Sequence, residues 1–222
     1  MDFSDILSQW YAINKRDLPW RSTVNPYYIW LSEIILQQTR VDQGLPYYLK
    51  FIDTFPAVAD LANADEDLVL KLWQGLGYYS RARNLQFSAK LILSEFGGNF
   101  PDNHADILKL KGVGSYTAAA ISSFSFGLPF AVLDGNVIRV LSRVFGIQTP
   151  FDTTAGKKQF QKLAQELLDK KNPAEYNQAI MEFGALQCVP KSPKCNDCPI
   201  VNDCIAFNTN TVSLLPVKSK KL

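Results

Sequence analysis

All four cysteines of this chain, Cys188, Cys195, Cys198 and Cys204, fall within 17 residues, spaced C-x6-C-x2-C-x5-C. Four thiolates this close in sequence can converge on one metal centre without help from distant segments, and the loop that carries them must close around it. The set suits a tetrahedral zinc or a cubane iron–sulfur cluster. Structural zinc sites more often pair two C-x2-C knuckles, and only one is present here. No apolar run is long enough to span a bilayer, and Met1-Asp-Phe-Ser-Asp5 lacks the basic and apolar regions of a signal peptide. The chain therefore reads as soluble and intracellular, where clustered cysteines are more often metal ligands than disulfides.

With 222 residues, 47% of them apolar, the chain can bury a substantial core, either as one compact unit or as two closely packed lobes. Helical periods dominate. Asn25-Pro26 reads as an N-cap and first helical position, opening a helix to about residue 39. Residues 67–74 and 82–95 read as two more helices, separated by the Gly75-Leu-Gly77 break and ended by Gly97-Gly98. Residues 117–126, 137–145, 155–170 and 174–186 supply four others. Strand-like alternation is nearly absent, so the class is all-α. Breaks before Tyr27 and around Gly127-Leu-Pro129 mark off a middle helical lobe flanked by the two chain ends. The net charge of +2 does not by itself announce nucleic-acid binding. From Lys191 onward, however, five lysines face only Asp197 and Asp203. Lys191 and Lys194 lie between the first two cysteines, either as a solvated loop or as a basic finger on a phosphate backbone.

Leu110-Lys-Gly112-Val-Gly114-Ser-Tyr-Thr117 joins the end of one helix to the start of an alanine-rich one. Two glycines allow a tight turn and close approach of backbone to a ligand, and the free N–H groups at the next helix start suit a phosphate. An ordinary helix–turn–helix corner is the bland alternative, and the cysteine spacing about 75 residues downstream weighs against it. Two carboxylates stand out. Glu33 has Ile29, Trp30, Leu36 and Gln37 as same-face neighbours by helical spacing, a setting that desolvates a carboxyl and raises its pKa, although a buried glutamate satisfied by an arginine is the plainer reading of the residues alone. Asp134 precedes Gly135-Asn136 and an apolar helix, an N-cap position that favours its ionised form. One acid kept protonated and one kept ionised is the pairing that glycosidic cleavage requires.

Hairpin, Asp-Gly-Asn segment and cysteine loop, in this order, resemble the endonuclease III superfamily of base-excision glycosylases, and within it the MutY-type adenine DNA glycosylases. The resemblance runs from Arg16-Asp-Leu-Pro-Trp-Arg21 through Ser32-Glu-Ile-Ile-Leu-Gln-Gln-Thr39 and Gly75-Leu-Gly-Tyr-Tyr-Ser-Arg81 to Leu215-Pro-Val-Lys218. It implies two helical lobes with DNA and the active site in the cleft between them. One is a six-helix barrel over residues 25–131, with the helix-hairpin-helix at about 106–120. The other is a 4Fe-4S cluster lobe built from residues 1–24 and 132–208. Residues 209–222 are then a basic tail at the start of a linker.

The resemblance also implies roles. Glu33 matches the general acid that protonates adenine at N7, and Asp134 the carboxylate that stabilises the oxocarbenium-like sugar. Tyr116 and Asn136 match groups that hydrogen-bond around them. Bifunctional relatives carry a lysine at position 116, whose amine forms a Schiff base and then nicks the strand. A phenol cannot, and Lys111 lies on the hairpin's other limb, so a monofunctional enzyme is expected. Arg21, Gln178, Trp20 and Arg16 match residues that line or shape the pocket for the flipped base. Gln38, Tyr78 and Leu36 match residues at the opposite base. Gly112, Gly114, Lys191 and Lys194 match DNA-backbone contacts, and Cys188, Cys195, Cys198 and Cys204 match the cluster ligands. The carbonyls of Leu108 and Val113 match a cation site beside the hairpin.

The expected partner is double-stranded DNA with adenine opposite 8-oxoguanine or guanine, bound by a monomer with no membrane association. Full-length relatives continue past a basic linker into a Nudix-like domain that helps recognise 8-oxoguanine, and the match stops where that linker would begin. Adenine excision is expected without that domain, and the preference for 8-oxoguanine is the property that depends on it. A glycosylase for oxidised pyrimidines is a second reading, opposed by Tyr116. A catalytically silent DNA-binding module is a third, opposed by Glu33, Asp134 and the Gln37-Gln38 pair.

Overall fold

A computed structural model describes residues 2–219. Of the basic tail, Lys220, Lys221 and Leu222 lie outside the described residues. In chain order the helices are α1 (Phe3–Asn14), α2 (Pro26–Ile35), α3 (Val41–Thr54), α4 (Val58–Asn63), α5 (Glu66–Trp73) and α6 (Ser80–Glu95), then α7 (His104–Ile107), α8 (Ser115–Phe126), α9 (Gly135–Val144), α10 (Thr154–Leu167), α11 (Pro173–Leu186) and α12 (Ile205–Asn208). The described residues contain no strand, so the fold is all-α. None of the helices is long and apolar enough to cross a membrane.

The caps explain most of the boundaries. Asn25 accepts from the Tyr27 N–H and Pro26 takes the first helical position of α2. Gly97 and Gly98 take the left-handed backbone that ends α6. Helix α2 stops at Ile35, a turn short of the expected residue 39, because Gln38 turns left-handed at φ 56°. The sequence hides α1, α3, α4 and α12; α3 is the longest of these, and its Gly44 and Pro46 read as breakers. A Cβ at Gly44 would meet Leu36 Cδ2 at 2.7 Å, so this glycine permits a close approach to the end of α2.

The chain divides into two compact units, Leu18–Phe126 and a second built from Met1–Asp17 with Gly127–Leu222. In the first, α2 is buried nearly all round, through Tyr27, Ile29, Trp30, Leu31, Ser32, Ile34 and Ile35. It packs on α3, α6 and α8. The alanine-rich α8 buries Ala118, Ala119 and Ala120, small side chains that let two helices approach closely. Aromatic edges fill the remainder, with Phe51 against Trp73 at 5.7 Å and Trp30 against Phe100 at 5.5 Å. In the second unit α1 packs on α11, with Trp10 edge-on to Phe183 at 5.0 Å. Helix α9 packs on α10, α11 and α12.

Candidate active site and cysteine cavity

Glu33 lies mid-α2, half-buried among the wholly buried Ile29 and Trp30. In the same unit the hairpin runs from α7 to α8. Its turn is held by the Val113 N–H donating to the Leu110 carbonyl at 3.1 Å and by Ser88 Oγ donating to the Lys111 carbonyl at 3.1 Å. Gly112 has φ 83°, and a Cβ there would crowd Asn84 at 3.1 Å, so glycine serves both conformation and fit. Gly114 is exposed, and Tyr116 is half-buried in the first turn of α8. The Lys111 ammonium lies over the Phe87 ring, 4.6 Å from its centroid. Leu108 is exposed and Val113 buried.

Trp20 and Arg21 occupy a 3-10 turn at Pro19–Arg21, with Trp20 edge-on to Tyr48 at 5.1 Å. Gln38 and Tyr78 are both exposed, and both take a left-handed backbone, φ 56° and 46°. Leu36 packs against Gly44.

Asp134 caps α9 in the second unit. Its Oδ1 accepts from the Val137 N–H at 2.8 Å and its Oδ2 from Asn136 Nδ2 at 2.7 Å. The N-cap is as the sequence indicates, but its electrostatic consequence is not. Burial pushes the Asp134 carboxyl above its ordinary range, opposed by the Val137 and Asn136 hydrogen bonds and by Arg139. Desolvation therefore outweighs the helix terminus. Gln178 is half-buried on α11 and accepts from the Tyr11 hydroxyl at 2.7 Å. Arg16 is engaged by Glu182, which is 1% exposed: the Arg16 N–H, Nε and Nη2 all donate to its carboxylate, at 2.9, 2.9 and 2.6 Å.

The four cysteines line a single cavity together with Arg143, Phe183, Gln187 and Ile200. Arg143 Nη1 stands 3.5 Å from Cys188 Sγ, and its guanidinium also donates to the Val189 carbonyl at 2.8 Å and the Pro190 carbonyl at 3.0 Å. Arg139 donates to the Cys188 carbonyl at 2.7 Å. The loop is closed by Gln187 Nε2 donating to the Lys194 carbonyl at 2.6 Å. Burial pushes the thiols of Cys195, Cys198 and Cys204 up, Cys198 to about 11. Among the described residues no three His, Cys, Asp or Glu side chains are gathered so as to hold a metal ion. Four sulfurs on the wall of one mainly apolar cavity are nonetheless a donor set that fits a group taking four thiolates. Lys191 and Lys194 are exposed.

Sequence reasoning passed over Arg81, Arg139, Arg143 and Glu182. The signal for two of them is present in α9, where Arg139 and Arg143 are four residues apart among Val140, Leu141 and Val144. Arginines at that spacing on an apolar face need buried acceptors, and both are buried.

A family of HhH-GPD superfamily base excision DNA repair proteins matches residues 31–170. The adenine DNA glycosylase of Buchnera aphidicola subsp. Schizaphis graminum is 41% identical over 220 residues, covering 99% of this chain and 63% of the relative. The adenine DNA glycosylase of Homo sapiens is 43% identical over 213 residues, covering 92% of this chain and 39% of the relative. The chain thus spans less than two thirds of the length of these relatives. Among solved structures, a thermostable thymine-DNA glycosylase superposes with a TM-score of 0.86 at 30% identity, covering 93% of this chain and 95% of that one. A non-covalent endonuclease III–DNA complex superposes at 0.79 with 20% identity, covering 93% and 94%, which is a likeness of fold. With the family match extending from α2 to the end of α10, this chain belongs to the HhH-GPD superfamily of base excision DNA repair proteins.

Proposed function

We propose that this chain is a monofunctional adenine DNA glycosylase that removes adenine opposite 8-oxoguanine or guanine in double-stranded DNA. The observation that carries the reading is the 41% identity, over 99% of this chain, to a protein named adenine DNA glycosylase. Glu33, in its apolar surroundings, is the acid that protonates the adenine ring and makes the base a better leaving group. Asp134, held by Val137 and Asn136, meets the positive charge that develops on the sugar. Water completes hydrolysis, with Glu33 as base on the return step. Tyr116 offers no amine for a Schiff base, and Lys111 is drawn onto Phe87.

Arg21, Gln178 and Trp20 receive the flipped base, with Gln178 oriented by Tyr11. Gln38, Tyr78 and Leu36 meet the opposite purine. The hairpin at Gly112 and Gly114 holds a backbone phosphate, and the carbonyls of Leu108 and Val113 a cation beside it. Cys188, Cys195, Cys198 and Cys204 would hold a 4Fe-4S cluster, which supplies folding of the loop rather than chemistry at the base. That loop turns the exposed Lys191 and Lys194 to DNA.

The test uses duplexes carrying A:8-oxoguanine, A:G, an oxidised pyrimidine, and G:T, the last because a solved relative is named a thymine-DNA glycosylase. Product is compared before and after alkali. Adenine loss revealed only by alkali is the expected result, and Glu33→Gln is expected to abolish it while leaving duplex binding within about threefold. Release of no base from any duplex overturns the reading. Strand scission without alkali overturns its monofunctional part.

A further inference from the structure

The two exposed, left-handed residues of the first unit share one hidden partner. Arg81 Nη1 donates to the carbonyls of Ile34 at 3.0 Å, Ile35 at 3.0 Å and Gln37 at 2.6 Å. Its Nη2 donates to the Leu76 carbonyl at 3.1 Å and, at longer range, to that of Gly77 at 3.5 Å. The peptide carbonyl immediately before Gln38 and the one immediately before Tyr78 thus accept from the same guanidinium. Its Cζ lies 5.1 Å from the centroid of the Trp73 ring and 5.8 Å from that of the Tyr78 ring. Trp73 Nε1 also donates to the Gly77 carbonyl at 3.0 Å, so the strut is braced from its own side.

We propose that Arg81 is a positioning residue that locks Gln38 and Tyr78 into one rigid wedge at the opposite base, a role that rests on the glycosylase reading above. A residue with a Cβ occupies the left-handed region only when its surroundings over-determine it. Both side chains are exposed, and the support that the Tyr78 ring does find is the Arg81 guanidinium itself. The carbonyls at the end of α2 lack intrahelical partners and need donors. A planar fork satisfies both loops at once and fixes their separation, which a lysine ammonium, a point donor on a flexible stem, cannot do. Extruding a base requires the vacated space and the partner purine to be met together, so two tips held in fixed relation act as one group.

The experiment follows 2-aminopurine fluorescence on mixing protein with a duplex that carries this base in the adenine position opposite guanine, alongside single-turnover adenine excision. Gln38→Ala, Tyr78→Ala and Arg81→Lys are each expected to slow extrusion by about tenfold, and Arg81→Lys to change binding to undamaged duplex by less than about twofold. Adding either alanine variant to Arg81→Lys is expected to cost less than about threefold more, because the wedge is already lost. Losses that multiply in full, or alanine variants that extrude normally, overturn the proposal. Should Arg81→Lys fail to fold, amide hydrogen exchange in the unaltered protein decides. The Thr39 amide, bonded to the Leu36 carbonyl, and the Arg81 amide, bonded to that of Tyr78, are expected to open together, and protection differing by about tenfold or more overturns the coupling. A protein that excises no adenine yet passes the exchange test would sink the glycosylase reading and leave the strut standing.

Discussion

At the scale of single residues, burial and hydrogen bonding compete, and the outcome differs from what position in the chain suggests. Asp134 caps α9 as expected, yet burial raises its pKa, so the carboxylate that the proposed chemistry needs is harder to keep ionised than a surface aspartate. Excision is therefore expected to fall as pH drops through a value above the ordinary 3.8, visible as the acid limb of a single-turnover rate profile. A rate still flat at pH 4 would contradict this.

His104 gives a stability counterpart. Its Nδ1 lies 3.1 Å from Ser122 Oγ, and burial holds its pKa below the ordinary 6.5, partly offset by a hydrogen bond with the Ala118 backbone. A folded pKa below the unfolded one means that the unfolded chain binds more protons in between. His104's contribution is thus complete above pH 6.5 and lost as pH falls through the lowered value. Urea unfolding between pH 7.5 and 5.5 is expected to lose stability with a slope that His104→Gln removes.

Arg16 is a third case. Removing the bidentate partner of the buried Glu182 by Arg16→Ala is expected to destabilise the protein by roughly 3 kcal/mol in denaturant titrations. Its match to a pocket-shaping residue did not reveal that partner. The pairing spans 166 positions in sequence, and nothing local to Arg16 announces it.

At the scale of elements, contact surfaces set the fine geometry. Helices α9 and α11 meet where Gly184 faces Asn136, and a Cβ at Gly184 would lie 2.7 Å from Asn136 Cβ and 2.9 Å from its carbonyl oxygen. The backbone oxygen cannot swing away, so Gly184→Ala must separate the helices. A cost of about 1–3 kcal/mol is expected, with a loss of excision. Arg139 Nη2 donates to both the Asn136 amide oxygen and the Gly184 carbonyl, and can then no longer hold Asn136 in place beside Asp134. Denaturant midpoints and excision rates measured on the same variant check both halves. The helices legible in the sequence carried a strong signal at one end, such as the Asn25-Pro26 start of α2 and the Gly97-Gly98 end of α6. Helix α3 was not legible, because the reason for Gly44 is a neighbour, Leu36, and not its own backbone.

At the scale of the whole molecule, both chain ends contribute to one compact unit and the middle of the chain forms the other. The cysteine loop belongs to the former, tied down by arginines of α9 on one side and by Gln187 on the other. If a 4Fe-4S cluster organises this loop, purified protein should be brown and yield iron and acid-labile sulfide. Removing the iron should loosen the loop so that trypsin cuts after Lys191 and Lys194 before the helices α2 to α8 are cut. A colourless zinc protein would contradict the assignment.

The amino-acid sequence by itself determined the all-α class, the bounds of α5, α6 and α8 to α11 to within three residues, the N-cap at Asp134 and the single cysteine segment, since caps, glycines and short spacings act within a turn or two of chain. It also carried the family resemblance, because long motifs survive intact in the linear order. Tertiary structure alone decided what surrounds each charge: Glu182 around Arg16, the carbonyls around Arg81, and the burial that outweighs the helix terminus at Asp134. Desolvation and long-range hydrogen bonds depend on which segments the fold brings together, and no local pattern encodes that.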